Sequence, residues 1–200
     1  WSSRGSSLRF NIDKLLSAQL RDLSKQLDTT LFMTMLAAFN VLLHKYSGQQ
    51  DICVGTPSAN RNQKEIEGVI GFFVNTLALH SEVKSELSFT QLLQQVKIIT
   101  VEAYQHQDVP FEKVVDAVLK ERDLSRNPLF QVMLEMHNTP TVEKLKFKKV
   151  QLSVEDIIQT TTHFDITIYI TQTDNGLEGL VEYATDLYET ETINRMIGHL

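Results

Sequence analysis

Ile70-Gly71-Phe72-Phe73-Val74-Asn75-Thr76 is the stretch on which the reading of this chain turns. It is an apolar run of β-branched and aromatic residues that opens on a glycine and closes on an amide, the pattern of a buried strand. A buried Asn brings two donors and an acceptor, and leaving them unpaired costs about 1–3 kcal/mol. Either a local network satisfies Asn75 or a ligand does, and the two alternatives imply different roles for the protein.

Outward from that run, the strand is expected to cover Val69 to Leu79. A turn-rich segment, Thr56-Pro57 through Asn60-Arg61-Asn62 to Glu67-Gly68, precedes it, and before that Asp51 to Gly55 reads as another strand. Ser7 to Ile12 reads as a short first strand. Leu16, Leu20, Leu23 and Leu27 recur at helical spacing. Thr29 or Thr30 can cap a second helix that carries Leu31, Phe32, Met35, Leu36, Phe39, Leu42, Leu43 and Tyr46, with Gly48 where a C-terminal cap belongs. Apolar residues cover most of its circumference, so it should be packed on more than one side.

Ser88 and Gln91 form a capping-box pattern ahead of Phe89, Leu92, Leu93, Val96, Ile99 and Ala103. Asp108 and Pro110 mark a fresh helix start. Beyond Pro128 the period changes to two: Phe130, Val132, Leu134 and Met136 share one strand face, and Leu145 to Val154 reads as a second strand. Phe164, Ile166, Ile168 and Ile170 alternate with polar residues, and Asp174-Asn175-Gly176 signals a hairpin. Thr190 can cap a last helix that stops with the chain, so the sequence is read as part of a longer protein. Mixed strands and helices with a late antiparallel meander imply an α/β fold, a two-layer sandwich with a mixed sheet.

With 200 residues, 42% of them hydrophobic, there is enough apolar material for one core. A net charge of −6 without a Lys/Arg cluster argues against a nucleic-acid partner. The apolar stretch Leu31 to Leu43 falls short of the roughly 20 residues of a membrane span. No apolar leader opens the sequence, and the single cysteine, Cys53, suits a reducing compartment, so a cytoplasmic location is expected. Cys53 itself reads as a small buried hydrophobe. No nucleophile elbow or glycine-rich phosphate loop is present, and the six histidines lack metal-ligand spacing, so no metal is expected. His106 and His163, each two residues from an aspartate (Asp108 and Asp165), read as loop and strand-edge histidines before they read as catalytic.

Three segments taken together carry more. They are Ile70 to Leu77, then Tyr104-Gln105-His106-Gln107-Asp108-Val109-Pro110-Phe111-Glu112, then Arg122-Asp123-Leu124-Ser125-Arg126-Asn127-Pro128-Leu129-Phe130-Gln131-Val132. In order and spacing they resemble the last three core motifs of condensation domains in nonribosomal peptide synthetases. The stretch from Thr30 to Pro57, Phe164-Asp165 and Tyr183 to Leu187 are similar to the same family, so the resemblance spans essentially the whole chain. It implies one lobe of a chloramphenicol acetyltransferase-like fold, in which two α/β lobes enclose a tunnel. It also implies peptide-bond formation between aminoacyl or peptidyl thioesters held on the phosphopantetheine arms of carrier proteins.

The family's His-His-x-x-x-Asp-Gly motif is nowhere in these residues. Residues 1–200 are therefore read as the C-terminal lobe, expected to be inactive alone, with the catalytic histidine on an absent N-terminal lobe and no catalytic residue here. No cofactor is expected to bind directly. The implied partners are that lobe, donor and acceptor peptidyl carrier proteins and an adenylation domain, and an isolated lobe is expected to self-associate through its uncovered apolar surface.

Asn75, Phe73 and Arg61 are the candidates for the tunnel wall. For Asn75 the alternative is a strand-end amide that pins a loop; for Arg61 it is a bridge between lobes or a plain loop role. Gly71, Asp108, Pro110, Arg122, Asp123, Arg126, Asn127 and Pro128 are read as structural motif residues, with contact to a carrier protein as the alternative for Arg126. His80 stands where the resemblance leads one to expect arginine. Trp1-Ser2-Ser3 fits least well. A carrier-docking module of the same fold and an epimerisation-domain relative are the competing readings.

Overall fold

The computed structural model describes residues 3–61, 63–66, 68–121, 126–137 and 160–200. In chain order its elements are β1 (Gly5–Ile12), α1 (Lys14–Gln26), α2 (Leu31–Ser47), β2 (Asp51–Ser58), β3 (Asn75–Glu82), α3 (Phe89–Gln105), α4 (Phe111–Val118), β4 (Val132–His137), β5 (Ile166–Thr173), β6 (Gly176–Ala184) and α5 (Thr190–His199). The strands form one sheet in the order β1-β6-β5-β4-β2-β3. β2, β4 and β5 run parallel to one another and the remaining neighbours pair antiparallel, so the sheet is mixed as expected.

Alternation along each strand divides the two faces. Ile52 and Val54 of β2, Leu77 and Leu79 of β3, Leu134 of β4, Ile166, Ile168 and Ile170 of β5 and Val181 of β6 turn to one face, where α2, α3 and α5 cover them with Leu36, Phe39, Leu93, Val96 and Ile193. The caps of α2 and α3 are those the sequence announces. Thr30 accepts the Met33 amide, Ser88 forms a capping box with Gln91, and Gly48 closes α2 at φ 72°. The β5–β6 hairpin turns at Asp174–Asn175 and returns at Gly176, whose φ of 134° requires glycine.

The second face carries a smaller apolar group. Phe130 stacks between Phe111 of α4 and Phe164, at 5.6 and 5.5 Å between ring centroids. Its ring fills the space above Gly55, where a Cβ would lie only 2.2 Å from it.

Four expectations need correction. Phe130 and Phe164, read on the strand faces of Leu134 and of Ile166 to Ile170, precede β4 and β5 and pack on the second face, because the chain turns at Leu129 (φ 68°) before β4 begins. The strand read from Val69 begins only at Asn75, and Ile70 and Phe72 are exposed, at 101% and 91% of their full surface. The cause is pairing. β2 ends at Ser58 opposite Asn75, so residues 69–74 have no neighbouring strand to take their backbone groups. For the same reason β2 runs through Pro57 to Ser58, because β3 pairs with it along that whole length. Glu189, not Thr190, is the cap position of α5, and the Thr190 hydroxyl instead lies 2.9 Å from the Tyr183 hydroxyl. The strand read at Leu145 to Val154, and Trp1, Ser2, Arg122 and Asp123, lie outside the described residues.

Candidate functional site

Arg61 leaves the end of β2 and gathers the segment that follows around its guanidinium. It donates to the carbonyl of Ile66, to that of Val69 at 2.7 Å and to that of Gly71 at 3.3 Å. Its Cζ sits 4.3 Å from the centroid of the Phe73 ring, a cation–π contact. One planar cation thus does for this loop what a neighbouring strand does for β3. Held this way, residues 69–74 turn Ile70 and Phe72 outward, with Val69 and Val74 about half exposed beside them. Gly71 leaves room for the Phe73 ring, since a Cβ there would lie 2.9 Å from it.

Asn75 is half-buried, and backbone groups occupy both ends of its side-chain amide. Nδ2 donates to the carbonyls of Gln107 and Val109, each at 2.7 Å, and Oδ1 accepts the Phe111 amide at 3.1 Å. Pro110, the cap position of α4, has no side-chain acceptor for that helix, so Asn75 supplies one from across the fold. The Ser58 hydroxyl, opposite Asn75 in the β2–β3 ladder, donates to Gln107 Oε1. The first two motif segments therefore meet, and the turn of Gln107, Asp108 and Val109 is tied to the ends of both strands.

The third motif segment reaches the same side through Phe130. Asn127 donates to the His163 carbonyl at 2.7 Å, and its own carbonyl accepts from Gln131 at 3.0 Å. Pro128 O accepts the Phe130 amide at 2.9 Å, across Leu129 at φ 68°. The Arg126 charge opposes burial at Asp165, but burial prevails and raises that carboxyl's pKa. His106 caps the end of α3, and exposed His80 lies 3.2 Å from Asp51.

Sequence reasoning missed the polar strip on the second face of β5 and β6. Tyr169 donates to Glu182 at 3.0 Å, and Glu182 is a buried carboxylate. Burial, then the charges of Glu182 and Glu135, raise the Tyr169 phenol pKa. The two-residue turn at Asp174–Asn175 was the available signal, because it sets a register in which Tyr169 and Glu182 are diagonal neighbours. Among the described residues no three His, Cys, Asp or Glu side chains are grouped to hold a metal ion, and no single helix is long and apolar enough to cross a membrane.

Comparison with known proteins gives the family. The family model described as a condensation domain matches residues 2–200, and the chain belongs to that family. It is 48% identical, over 99% of its length, to part of one linear gramicidin synthase protein from Brevibacillus parabrevis, and 42% identical to part of surfactin synthase subunit 1 from Bacillus subtilis (strain 168). It spans only 4% and 6% of those two proteins.

Among solved structures it matches holo-AB3403, a four-domain nonribosomal peptide synthetase bound to AMP and glycine. That match has a TM-score of 0.87 and 29% identity, over 97% of this chain and 16% of that one. The X-domain from teicoplanin biosynthesis shares the fold at a TM-score of 0.86 and 24% identity, over 96% of this chain and 44% of that one.

Proposed function

We propose that residues 1–200 are the C-terminal lobe of a condensation domain in a nonribosomal peptide synthetase. The complete domain joins a donor acyl group to an acceptor amine, both presented as thioesters on the phosphopantetheine arms of carrier proteins. The observation that carries this reading is the family match along residues 2–200. The amine attacks the thioester carbonyl, the carbonyl oxygen takes up charge, and the amine proton has to leave. In this reading the base for that proton lies on the other lobe, and the present chain supplies a wall of the tunnel and the motif loops that shape it. The wall candidates remain Asn75, Phe73 and Arg61. An adenylation domain in the same assembly and a cytoplasmic location, suited to the free thiol of Cys53, complete the proposal.

The loop built on Arg61 supports a two-lobed assembly. Ile70 and Phe72 are too large and too exposed to be cheap in water, and in the complete domain they pack on the preceding lobe. The isolated chain then self-associates through the same patch. Residues 1–200 exchanged for the matching segment of the linear gramicidin synthase protein test the function directly. Retained peptide formation supports the proposal, and loss of it in a hybrid that folds contradicts it.

A further inference from the structure

A cavity of about 460 Å³ opens at the carboxyl ends of the parallel strands β2, β4 and β5, where Thr56, Glu135 and Gln172 line it. The Glu135 side chain is 21% exposed, and among the described residues its ion-pair contact is the His137 ring at 3.5 Å, which is charged only when protonated. A carboxylate largely withdrawn from water, with no lysine or arginine paired to it among the described residues, is costly. A cation entering the cavity relieves that cost. Phe32, Pro57 and Met136 give the same cavity an apolar flank.

A second observation is independent of that charge. Thr100 of α3 lines the same cavity, is 1% exposed, and its Oγ1 has no hydrogen-bond partner among the described residues. A buried hydroxyl left unpaired calls for an explanation, and a donor entering the cavity supplies one. The N-terminus of α2 also reaches the cavity, through Thr30 and Leu31, and carries about half an elementary positive charge. The Thr30 hydroxyl already takes the Met33 amide at 3.2 Å, and the whole charge of Glu135 exceeds what that helix end opposes to a cation.

We propose that this cavity selects a primary alkylammonium group, the end of a basic side chain on a carrier-bound residue, with Glu135 as its counter-ion; the assignment rests on the condensation-domain reading. An ammonium has three N–H donors, enough for the Glu135 carboxylate and the Thr100 hydroxyl together. Its methylene stem lies along Phe32, Pro57 and Met136, an apolar path to a polar end. The group held here is not the amine that reacts. A carboxylate beside an amine favours its protonated form, and the amine must be free of that proton to attack a thioester. Glu135 therefore decides which residue is accepted and takes no part in forming the bond. Among the described residues no three His, Cys, Asp or Glu side chains are grouped, so the donors suit an organic cation better than a metal ion.

Amide NMR spectra of the 200-residue chain, titrated in turn with n-butylammonium, 1-butanol and n-butyrate, test the site. Saturable shifts at Glu135 and Thr100 are expected with butylammonium, at concentrations where butanol and butyrate give none. Glu135→Gln should raise its apparent Kd about tenfold and Thr100→Val about threefold. An equal response to butanol, or a Kd that the variants leave unchanged, overturns the proposal, and either variant suffices should the other fail to fold. In the complete domain, Glu135→Gln should lower kcat/KM for a lysyl carrier protein about tenfold relative to a norleucyl one, whose stem is the same without the charge. An unchanged ratio overturns the selectivity and leaves amide-bond formation standing. If butylammonium binds while the complete domain makes no amide bond, the condensation reading falls and the cation site stands.

Discussion

Asn75 and Val109, 34 residues apart in sequence, meet at 2.7 Å through the Asn75 side-chain amide and the Val109 carbonyl. The same amide holds Gln107 and caps α4 at Phe111, so one side chain at the start of β3 fixes the whole connection between α3 and α4. Asn75→Ala leaves two carbonyls and one amide without that partner. The expected loss is about 2–3 kcal/mol in urea denaturation, with faster hydrogen exchange at Phe111. An unchanged midpoint and unchanged exchange would contradict this role.

Arg61 acts on a loop rather than on the core, so Arg61→Lys should leave the global unfolding midpoint nearly unchanged. A lysine has no planar fork for several carbonyls and no face to lay on Phe73. Limited proteolysis between Lys64 and Phe72 is expected to speed up by about tenfold. In light scattering, Phe72→Ser should lower the concentration-dependent mass of the isolated chain. Equal cleavage rates in the Lys variant, or a wild-type chain that stays monomeric at high concentration, would count against this account of the loop.

Cys53 gives a pH dependence with a definite sign. Burial pushes its thiol up to about 11 from an ordinary value near 9. A thiol buried in its neutral form stabilises the fold while both states keep the proton. As pH rises from about 9 towards 11 the unfolded chain ionises first and stability falls. Cys53→Ser should flatten that fall in denaturation curves taken across this range. The thiol should also alkylate on the order of a hundredfold more slowly in the native chain than in the unfolded one at pH 8. Equal rates would remove the argument.

Most of the fold was legible because its signals are local. Thr30 and Gly48 bracket α2, Ser88 and Gln91 open α3, and Asp174–Asn175 turns the last hairpin. The failure at residues 69–74 has a different origin. The apolar content there is strand-like, but whether a segment becomes a strand depends on a partner, and β2 has ended by then. The same apolar content serves an exposed surface, and local patterning cannot tell a strand that lacks a neighbour from one that has it.

At the candidate site, the motif segments were read from the sequence by resemblance, whereas the bonds joining Asn75 to Gln107 and Val109 are long-range and carry no local signature.

The most direct measurement of the central claim is mass spectrometry of the acceptor carrier protein after incubation with a loaded donor carrier protein. It is run once with the purified 200-residue chain and once with the complete domain that contains it. The account predicts that the acceptor gains the donor acyl group only with the complete domain. Transfer by the 200-residue chain alone, or none by the complete domain, would contradict it.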